Sequence, residues 1–181
     1  MSKALILIDI QNDYFEKGAN TLVGSETASE NARLLLQEFR KNQLPVIHIQ
    51  HLSVRTGSTF FIPHTVGAEI HTNVAPLVDE KVFVKHLPNS FIETGLHDYL
   101  VSLHVTELVI CGMMTHMCVD ATTRAAKDLG YACALIGDAC ATKDLEINGQ
   151  KVSAQDVQNS FLAALNYFYA NVTTVQDYLI F

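Results

Sequence analysis

The chain has 181 residues, of which 49% are hydrophobic and 17% are charged. This length is typical of one domain with a sizeable core, and the composition excludes disordered and collagen-like chains. Nineteen acidic residues against twelve basic ones leave a formal net charge of −7. That balance argues against a nucleic-acid backbone or an anionic membrane as partner, because both attract clustered positive charge.

The apolar runs and the cysteine content indicate the cellular compartment of the protein. The longest uncharged apolar run, residues 108–119, is too short to span a bilayer. The N-terminal apolar run meets Asp9 too early for a secretory signal, so we expect a cytoplasmic protein. Four cysteines in a chain of this length do not resemble a disulfide scaffold.

Short apolar runs and helical spacings alternate along the chain. The apolar runs predict strands at residues 4–8, 45–50, 82–85, 107–112, 131–137 and 172–175. Helical spacing predicts helices from a capping box at residues 27–30, over about 93–104, from 115 to about 129, and over about 154–170. Strands that alternate with helices indicate an α/β domain with a mainly parallel sheet covered on both faces. The last helix is expected to bury Val157, Phe161, Ala164, Leu165 and Phe168.

Two segments interrupt this alternation. Residues 51–81 carry little regular patterning, and a loop of that length in a compact domain is typical of a lid or binding loop. Residues 145–152 predict a hairpin, because the central Asn148 and Gly149 suit a tight type I′ turn. With no internal repeat and no linker composition, we expect one domain over residues 1–181.

Reactive side chains follow three of the predicted strands. Ligands of parallel α/β sheets bind at the carboxyl ends of the strands. Asp9 follows the first strand, Lys85 ends the third, and Cys118 begins the helix after the fourth. If Thr115 caps that helix, the helix dipole lowers the pKa of the Cys118 thiol and the first amides can hold an oxyanion. Taken singly, each residue also has an ordinary interpretation, as a buried cysteine, a capping carboxylate or a solvated lysine.

Three sequence blocks, in this order, resemble the isochorismatase-like cysteine hydrolases. They are residues 7–13 (Leu-Ile-Asp-Ile-Gln-Asn-Asp), residues 84–91 with Val-Lys first and Asn-Ser-Phe last, and residues 111–119 (Cys-Gly-Met-Met-Thr-His-Met-Cys-Val). Residues 137–141 (Gly-Asp-Ala-Cys-Ala) also resemble that family. The resemblance implies a Rossmann-like, three-layer α/β/α fold with a mainly parallel six-stranded sheet.

The resemblance also implies site residues. It gives a catalytic triad of Asp9, Lys85 and Cys118, a cis peptide between Met113 and Met114, and an oxyanion hole from the amides of Met114 and Cys118. The implied activity is hydrolysis of an amide-type C–N bond in a small metabolite, through a thioester on Cys118. No cofactor is expected.

Three other functions stay open at this point. One is vinyl-ether hydrolysis of the isochorismatase type, which requires no thiol. Another is a non-catalytic binding domain of the same fold. The third, a flavodoxin-like nucleotide binder, is disfavoured because the turn after the first strand lacks a glycine-rich phosphate motif.

The histidines do not predict a metal site. Related nicotinamidases hold a metal with an Asp-x-His pair after the second strand, whereas residues 50–53 here are Gln-His-Leu-Ser. His51, His64 and His71 lie in the long loop, but their spacing matches no compact zinc motif. We therefore expect no metal.

Residues near these blocks are candidates for the substrate pocket. They are Gln11, Phe15, Phe60, Phe61, Ser90, Phe91, Thr115 and His116. The aromatic ones have packing as their alternative role, and Gln11 has that of a turn amide. The expected partner is a small-molecule substrate. The apolar C-terminus, together with the resemblance, also implies a homo-oligomer, either dimer or tetramer.

Overall fold

Six parallel strands form the central sheet of the structure, a computed structural model that describes residues 2–180. In chain order they are β1 (Ser2–Ile8), β2 (Val46–His51), β3 (Lys81–Lys85), β4 (Val105–Met113), β5 (Ala132–Ala141) and β8 (Asn171–Thr173). Their spatial order is β3-β2-β1-β4-β5-β8. The chain moves outward on one side of β1 and then restarts on the other with β4. The predicted α/β fold with a parallel six-stranded sheet is confirmed.

Helices flank this sheet. They are α1 (Ser25–Lys41), α2 (Leu96–Ser102), α3 (Asp120–Asp128), α4 (Ala154–Phe168) and α5 (Val175–Ile180), and a π-helical turn (Thr115–Val119) leads into α3. α1 packs against α5, and α3 packs against α4. The sheet is therefore the middle of three layers. No helix within residues 2–180 has the length and apolar character needed to cross a membrane.

The two central strands approach each other closely. Residues 4–8 of β1 are at most 2% exposed, as expected of a strand covered on both faces. Gly112 of β4 has φ +135, and a Cβ there would collide with the Ile8 carbonyl. Glycine is required at this position, and the register of β4 with β5 shifts beside it.

Two helices begin elsewhere than predicted. α1 begins at Ser25, after Gly24 in the left-handed conformation with φ +76, so the expected capping box at residues 27–30 is wrong. Ser29 lies inside the helix and its hydroxyl donates to the Glu26 carbonyl. α2 begins only at Leu96, because residues 93 and 95 both have positive φ and cannot continue a right-handed helix.

The end of the chain also differs from the prediction. In α4, Val157 and Leu165 are buried as expected, but Phe161 is only half-buried and Ala164 and Phe168 are exposed. The strand predicted at 172–175 ends at residue 173 and is followed by α5. The Thr174 hydroxyl accepts from the Asp177 amide and starts this helix. Of the apolar C-terminus, Phe181 lies outside the described residues.

The hairpin and the long loop match their predictions. β6 (Leu145–Ile147) pairs with β7 (Gln150–Val152), and Asn148 and Gly149 have φ +52 and +73. Between β2 and β3 the chain forms only two short 3₁₀ turns, Val66–Ala68 and Thr72–Val74. All four cysteines are free.

Candidate active site

The carboxyl ends of three strands bring Asp9, Lys85 and Cys118 together. Asp9 directly follows β1, Lys85 is the last residue of β3, and Cys118 lies in the π-helical turn after β4. The strand order reverses between β1 and β4, and such a topological switch point is where parallel α/β sheets form their binding crevice. The sequence therefore folds so that three distant segments share one edge.

Asp9 and Lys85 form a buried ion pair. Lys85 Nζ lies 2.7 Å from Asp9 Oδ2, and both side chains are fully buried. Burial lowers the pKa of Lys85, but the charges of Asp9 and Cys118 outweigh it and the pKa is raised above its ordinary value. Lys85 is therefore an ammonium group at neutral pH.

Cys118 is a thiol at rest. Cys118 is 5% exposed, and its Sγ lies within 4.8 Å of a carboxylate oxygen of Asp9. Burial, and then the charge of Asp9, raise the pKa of Cys118, whereas Lys85 acts in the opposite direction. The expected cap at Thr115 is wrong, because Cys118 is the fourth residue of a π-helical turn whose N-cap is Met114.

The segment before Cys118 contains an unusual backbone feature. The peptide between Met113 and Met114 is cis, as the resemblance implies. The Met114 carbonyl accepts hydrogen bonds from the amides of Met117 and Val119, so this residue is tied to the turn that carries Cys118.

His51, considered earlier only as an ion ligand, lies beside the triad. Its Nδ1 is 3.0 Å from Lys85 Nζ. A ring nitrogen of His51, a carboxylate oxygen of Asp9 and Cys118 Sγ all lie within 4.8 Å of one another. The Lys85 ammonium contacts these groups and already supplies a positive charge among them. Asp9 and Lys85 were predicted as site residues because they lie at the carboxyl ends of strands. His51 lies at the carboxyl end of β2, so the same argument could have predicted it.

The three loop histidines do not converge. His64 is exposed at φ +66. His71 stacks on Phe15 with ring centroids 3.7 Å apart, and its Nδ1 accepts from the Asn73 amide. Of these three histidines, His51 alone contacts a triad residue.

The Gln11 side-chain amide is hydrogen-bonded to backbone groups through both its nitrogen and its oxygen. Its Nε2 donates to the carbonyls of His51 and Ala68, and its Oε1 accepts from the His51 amide. No part of this buried amide remains for a substrate carbonyl, so Gln11 fixes the long loop instead of binding substrate.

Aromatic residues of the long loop pack behind the site. Phe61 is fully buried, 4.6 Å from the Tyr14 ring, so it belongs to the core rather than to a pocket rim. Phe60 is half-buried and lies 5.9 Å from the same ring. Tyr14 was not predicted as a site residue. Burial, and then the charges of Cys118 and Asp9, raise the pKa of Tyr14.

A buried carboxylate holds this aromatic group in place. Asp13 accepts from the Phe61 amide through Oδ2 at 2.6 Å and from the Ala19 amide through Oδ1. A Cβ on Gly67 would collide with the same carboxylate, so glycine is needed there. Asp13 is therefore an anchor of the long loop.

The other pocket candidates also have structural partners. The Ser90 hydroxyl lies 2.8 Å from that of Thr122, and Phe91 stacks on Tyr131. Ser90 is fully buried and its hydroxyl is paired with that of Thr122, so it has a structural role rather than the predicted contact with substrate.

The two candidates in the turn of Cys118 are likewise engaged. The buried Thr115 hydroxyl donates to Gln158 Oε1 at 2.6 Å, with the Ala141 carbonyl 3.2 Å away, so Thr115 has a structural role rather than the predicted contact with substrate. His116 is half-buried, with Nδ1 2.6 Å from the Thr142 hydroxyl. A separate cavity of about 450 Å³ lies between α1, β5 and α4, and none of the triad lines it.

Comparisons with known proteins agree with this fold. The family model described as Isochorismatase domain matches residues 3–177. The isochorismatase family protein YddQ of Bacillus subtilis (strain 168) is 49% identical over 99% of both chains. A solved structure of an isochorismatase-type hydrolase from Oleispira antarctica superposes with a TM-score of 0.96 at 47% identity, covering 99% of this chain and 97% of that one. Streptothricin hydrolase of Streptomyces noursei is 34% identical over 91% of this chain and 56% of its own length.

These similarities extend over nearly the whole chain. The chain belongs to the isochorismatase family. It is a hydrolase of that family with a Rossmann-like three-layer fold.

Proposed function

We propose that the chain hydrolyses an amide-type C–N bond in a small metabolite through a thioester on Cys118. The observation that carries this proposal is the 2.7 Å ion pair of Asp9 and Lys85 beside the Cys118 thiol. A nucleophile with an adjacent base, and a third group that orients the base, is the usual arrangement of covalent catalysis.

The first half of the reaction forms the thioester. Asp9 takes the thiol proton while the Lys85 ammonium stabilises the resulting thiolate. The sulfur attacks the carbonyl carbon, and the amides of Met114 and Cys118 hold the oxyanion of the tetrahedral intermediate. The C–N bond then breaks, and Asp9 returns the proton to the leaving amine.

The second half releases the acid. Asp9 takes a proton from water, the hydroxide attacks the thioester carbon, and the C–S bond breaks. The sulfur leaves as a thiolate, is reprotonated by Asp9, and the site returns to its resting state.

Two alternatives have different chemistry. Vinyl-ether hydrolysis of the isochorismatase type would form no bond to Cys118. A non-catalytic domain of this fold would turn over nothing. The related streptothricin hydrolase supports hydrolysis over a purely binding role, and the buried thiol between a base and a cation supports the thioester route.

An ammonia-release screen over small primary amides tests this proposal. Wild type should release ammonia, and Cys118→Ser should lose activity by a factor on the order of 10³ or more while unfolding at a similar temperature. Cys133→Ser, which changes a buried cysteine of β5 outside the triad, should keep its activity. Full activity in Cys118→Ser would contradict the thioester mechanism, whereas an acyl adduct on Cys118 detected by mass spectrometry would support it.

We also propose a homo-oligomer, dimer or tetramer, that needs no cofactor. Tyr167 and Phe168 of α4 are 93% and 64% exposed, and aromatic side chains exposed together support a subunit contact. A cytoplasmic location stays a prediction.

A further inference from the structure

The imidazole of His51 contacts Lys85 of the proposed triad, but it has no role in the proposed reaction. His51 ends β2, the strand between β1 and β3, so it reaches the same edge of the sheet as Asp9 and Lys85. Its Nδ1 lies 3.0 Å from Lys85 Nζ. Its backbone is held on both sides, because the Gln11 side chain donates to the His51 carbonyl and accepts from the His51 amide. The ring is therefore fixed relative to the lysine.

The contact with Lys85 defines the tautomer of His51. An ammonium group donates hydrogen bonds and accepts none, so Nδ1 must accept and the ring proton must lie on Nε2. Burial, followed by the charge of Lys85, lowers the pKa of His51 to about 4. The imidazole is therefore neutral at physiological pH and can serve as an acceptor.

The Lys85 ammonium donates hydrogen bonds to His51 and to the Leu87 carbonyl and forms an ion pair with Asp9. Nζ lies 2.7 Å from Asp9 Oδ2, 3.0 Å from His51 Nδ1 and 3.2 Å from the Leu87 carbonyl. The lysine side chain is fully buried, so water cannot replace a lost acceptor without entering the core. Loss of one acceptor would leave a buried N–H unpaired and would release the ammonium group from its present direction.

We infer that His51 is a positioning residue that holds the Lys85 ammonium against Asp9 and Cys118 by accepting one of its hydrogen bonds. This inference rests on the proposed function, because it concerns how Lys85 favours the thiolate. It predicts that His51 acts on the reactivity of Cys118 through Lys85 and not by direct proton transfer.

The test measures the rate at which iodoacetamide alkylates Cys118, which requires no substrate. Peptide mass spectrometry identifies the labelled cysteine, and Cys118→Ser defines the background. The variants are His51→Leu, which removes the acceptor, and His51→Asn, whose Oδ1 lies close to the position of Nδ1. His86→Leu is the matched control, because this exposed imidazole contacts the Leu52 carbonyl rather than the Lys85 ammonium.

His51→Leu should lower the alkylation rate at pH 8 about ten-fold, because a misdirected ammonium stabilises the thiolate less. His51→Asn should restore most of the rate, and His86→Leu should stay within about two-fold of wild type. A wild-type rate in His51→Leu would overturn the inference. So would an equal loss in His51→Asn, since that result would indicate that the imidazole itself takes the proton.

A second measurement needs no variant. Nitrogen-15 NMR of the wild-type protein at pH 7 should show an unprotonated Nδ1 and a protonated Nε2 on His51. A protonated Nδ1 would overturn the inference even if His51→Leu does not fold. A failure of the proposed function would instead appear in the amide screen and would leave the ratio of alkylation rates unchanged.

Discussion

Asp9 occupies a left-handed backbone conformation, with φ +50, directly after β1. Aspartate tolerates this conformation better than most residues, and the turn directs the chain away from the sheet. Neither carboxylate oxygen of Asp9 accepts a hydrogen bond within the described residues, and Lys85 Nζ lies 2.7 Å from Oδ2 as an ion pair. The carboxylate therefore keeps the capacity to accept a proton, and Lys85 is what compensates its charge.

Removal of the Lys85 ammonium should destabilise the folded protein. Lys85→Met leaves the Asp9 charge buried without a partner, so we expect the free energy of unfolding to fall by about 3–5 kcal/mol. Urea unfolding at pH 7 measures this. The double variant Asp9→Asn/Lys85→Met carries no charge at either position and should be more stable than Lys85→Met alone; equal or lower stability would contradict this account.

At the scale of elements, one carboxylate connects α1, β2 and the end of the long loop. Glu80 Oε1 lies 2.7 Å from Arg40 Nε of α1, and Oε2 lies 2.8 Å from His48 Nε2 of β2. Oε2 also accepts from the Leu77 amide. Burial raises the pKa of Glu80, but these hydrogen bonds outweigh it and lower the pKa to about 2.

This network should make stability depend on pH. Because the folded pKa of Glu80 lies below its ordinary value of 4.5, its ionised form stabilises the protein above that pH. This contribution is lost as the pH falls from about 4.5 towards 2. Urea midpoints of wild type should decline over this range, and those of Glu80→Gln should decline less. Parallel pH profiles would contradict the assignment.

At the scale of the whole molecule, α4 turns aromatic residues outward. Tyr167 is 93% exposed, Phe168 is 64% exposed, and the Lys127 ammonium lies 5.7 Å from the Phe168 ring. Solvent exposure of two neighbouring aromatic side chains is unfavourable in a monomer. Association through this face would remove them from water.

Substitutions on that face should therefore change the assembly. We expect wild type to show a multiple of 20.0 kDa by light scattering, and Tyr167→Glu/Phe168→Glu to show the monomer mass. Val78→Glu is the control, since Val78 is fully exposed in a loop and should leave the mass unchanged. A monomeric wild type, or an unchanged mass in the double variant, would contradict the proposed interface.

Local patterns predicted the strand ends, and hence the positions of Asp9, Lys85 and Cys118, because the carboxyl edge of a parallel sheet follows from chain order alone. The pKa of Cys118 could not be predicted in this way, since burial depends on segments far apart in the sequence. Gln11 was misassigned for the same reason: its partners, His51 and Ala68, come from the long loop.

Element boundaries depended on backbone angles that the sequence only partly indicates. Gly24 and Gly95 precede helices in left-handed conformations, so α1 begins earlier and α2 later than the apolar spacing indicated. The Thr174–Asp177 cap was a visible signal for α5, but the apolar run before it was interpreted as a longer strand.

The anchors at Gln11 and Asp13 restrict where the long loop can vary. The Ser53 amide donates to the Phe61 carbonyl and closes residues 54–60 into a small projection at the surface, while the remainder of the loop is tied to the turn after β1. Changes in the length of that projection would leave both anchors intact. Insertions or deletions at 54–60 should therefore leave the reacting groups undisturbed.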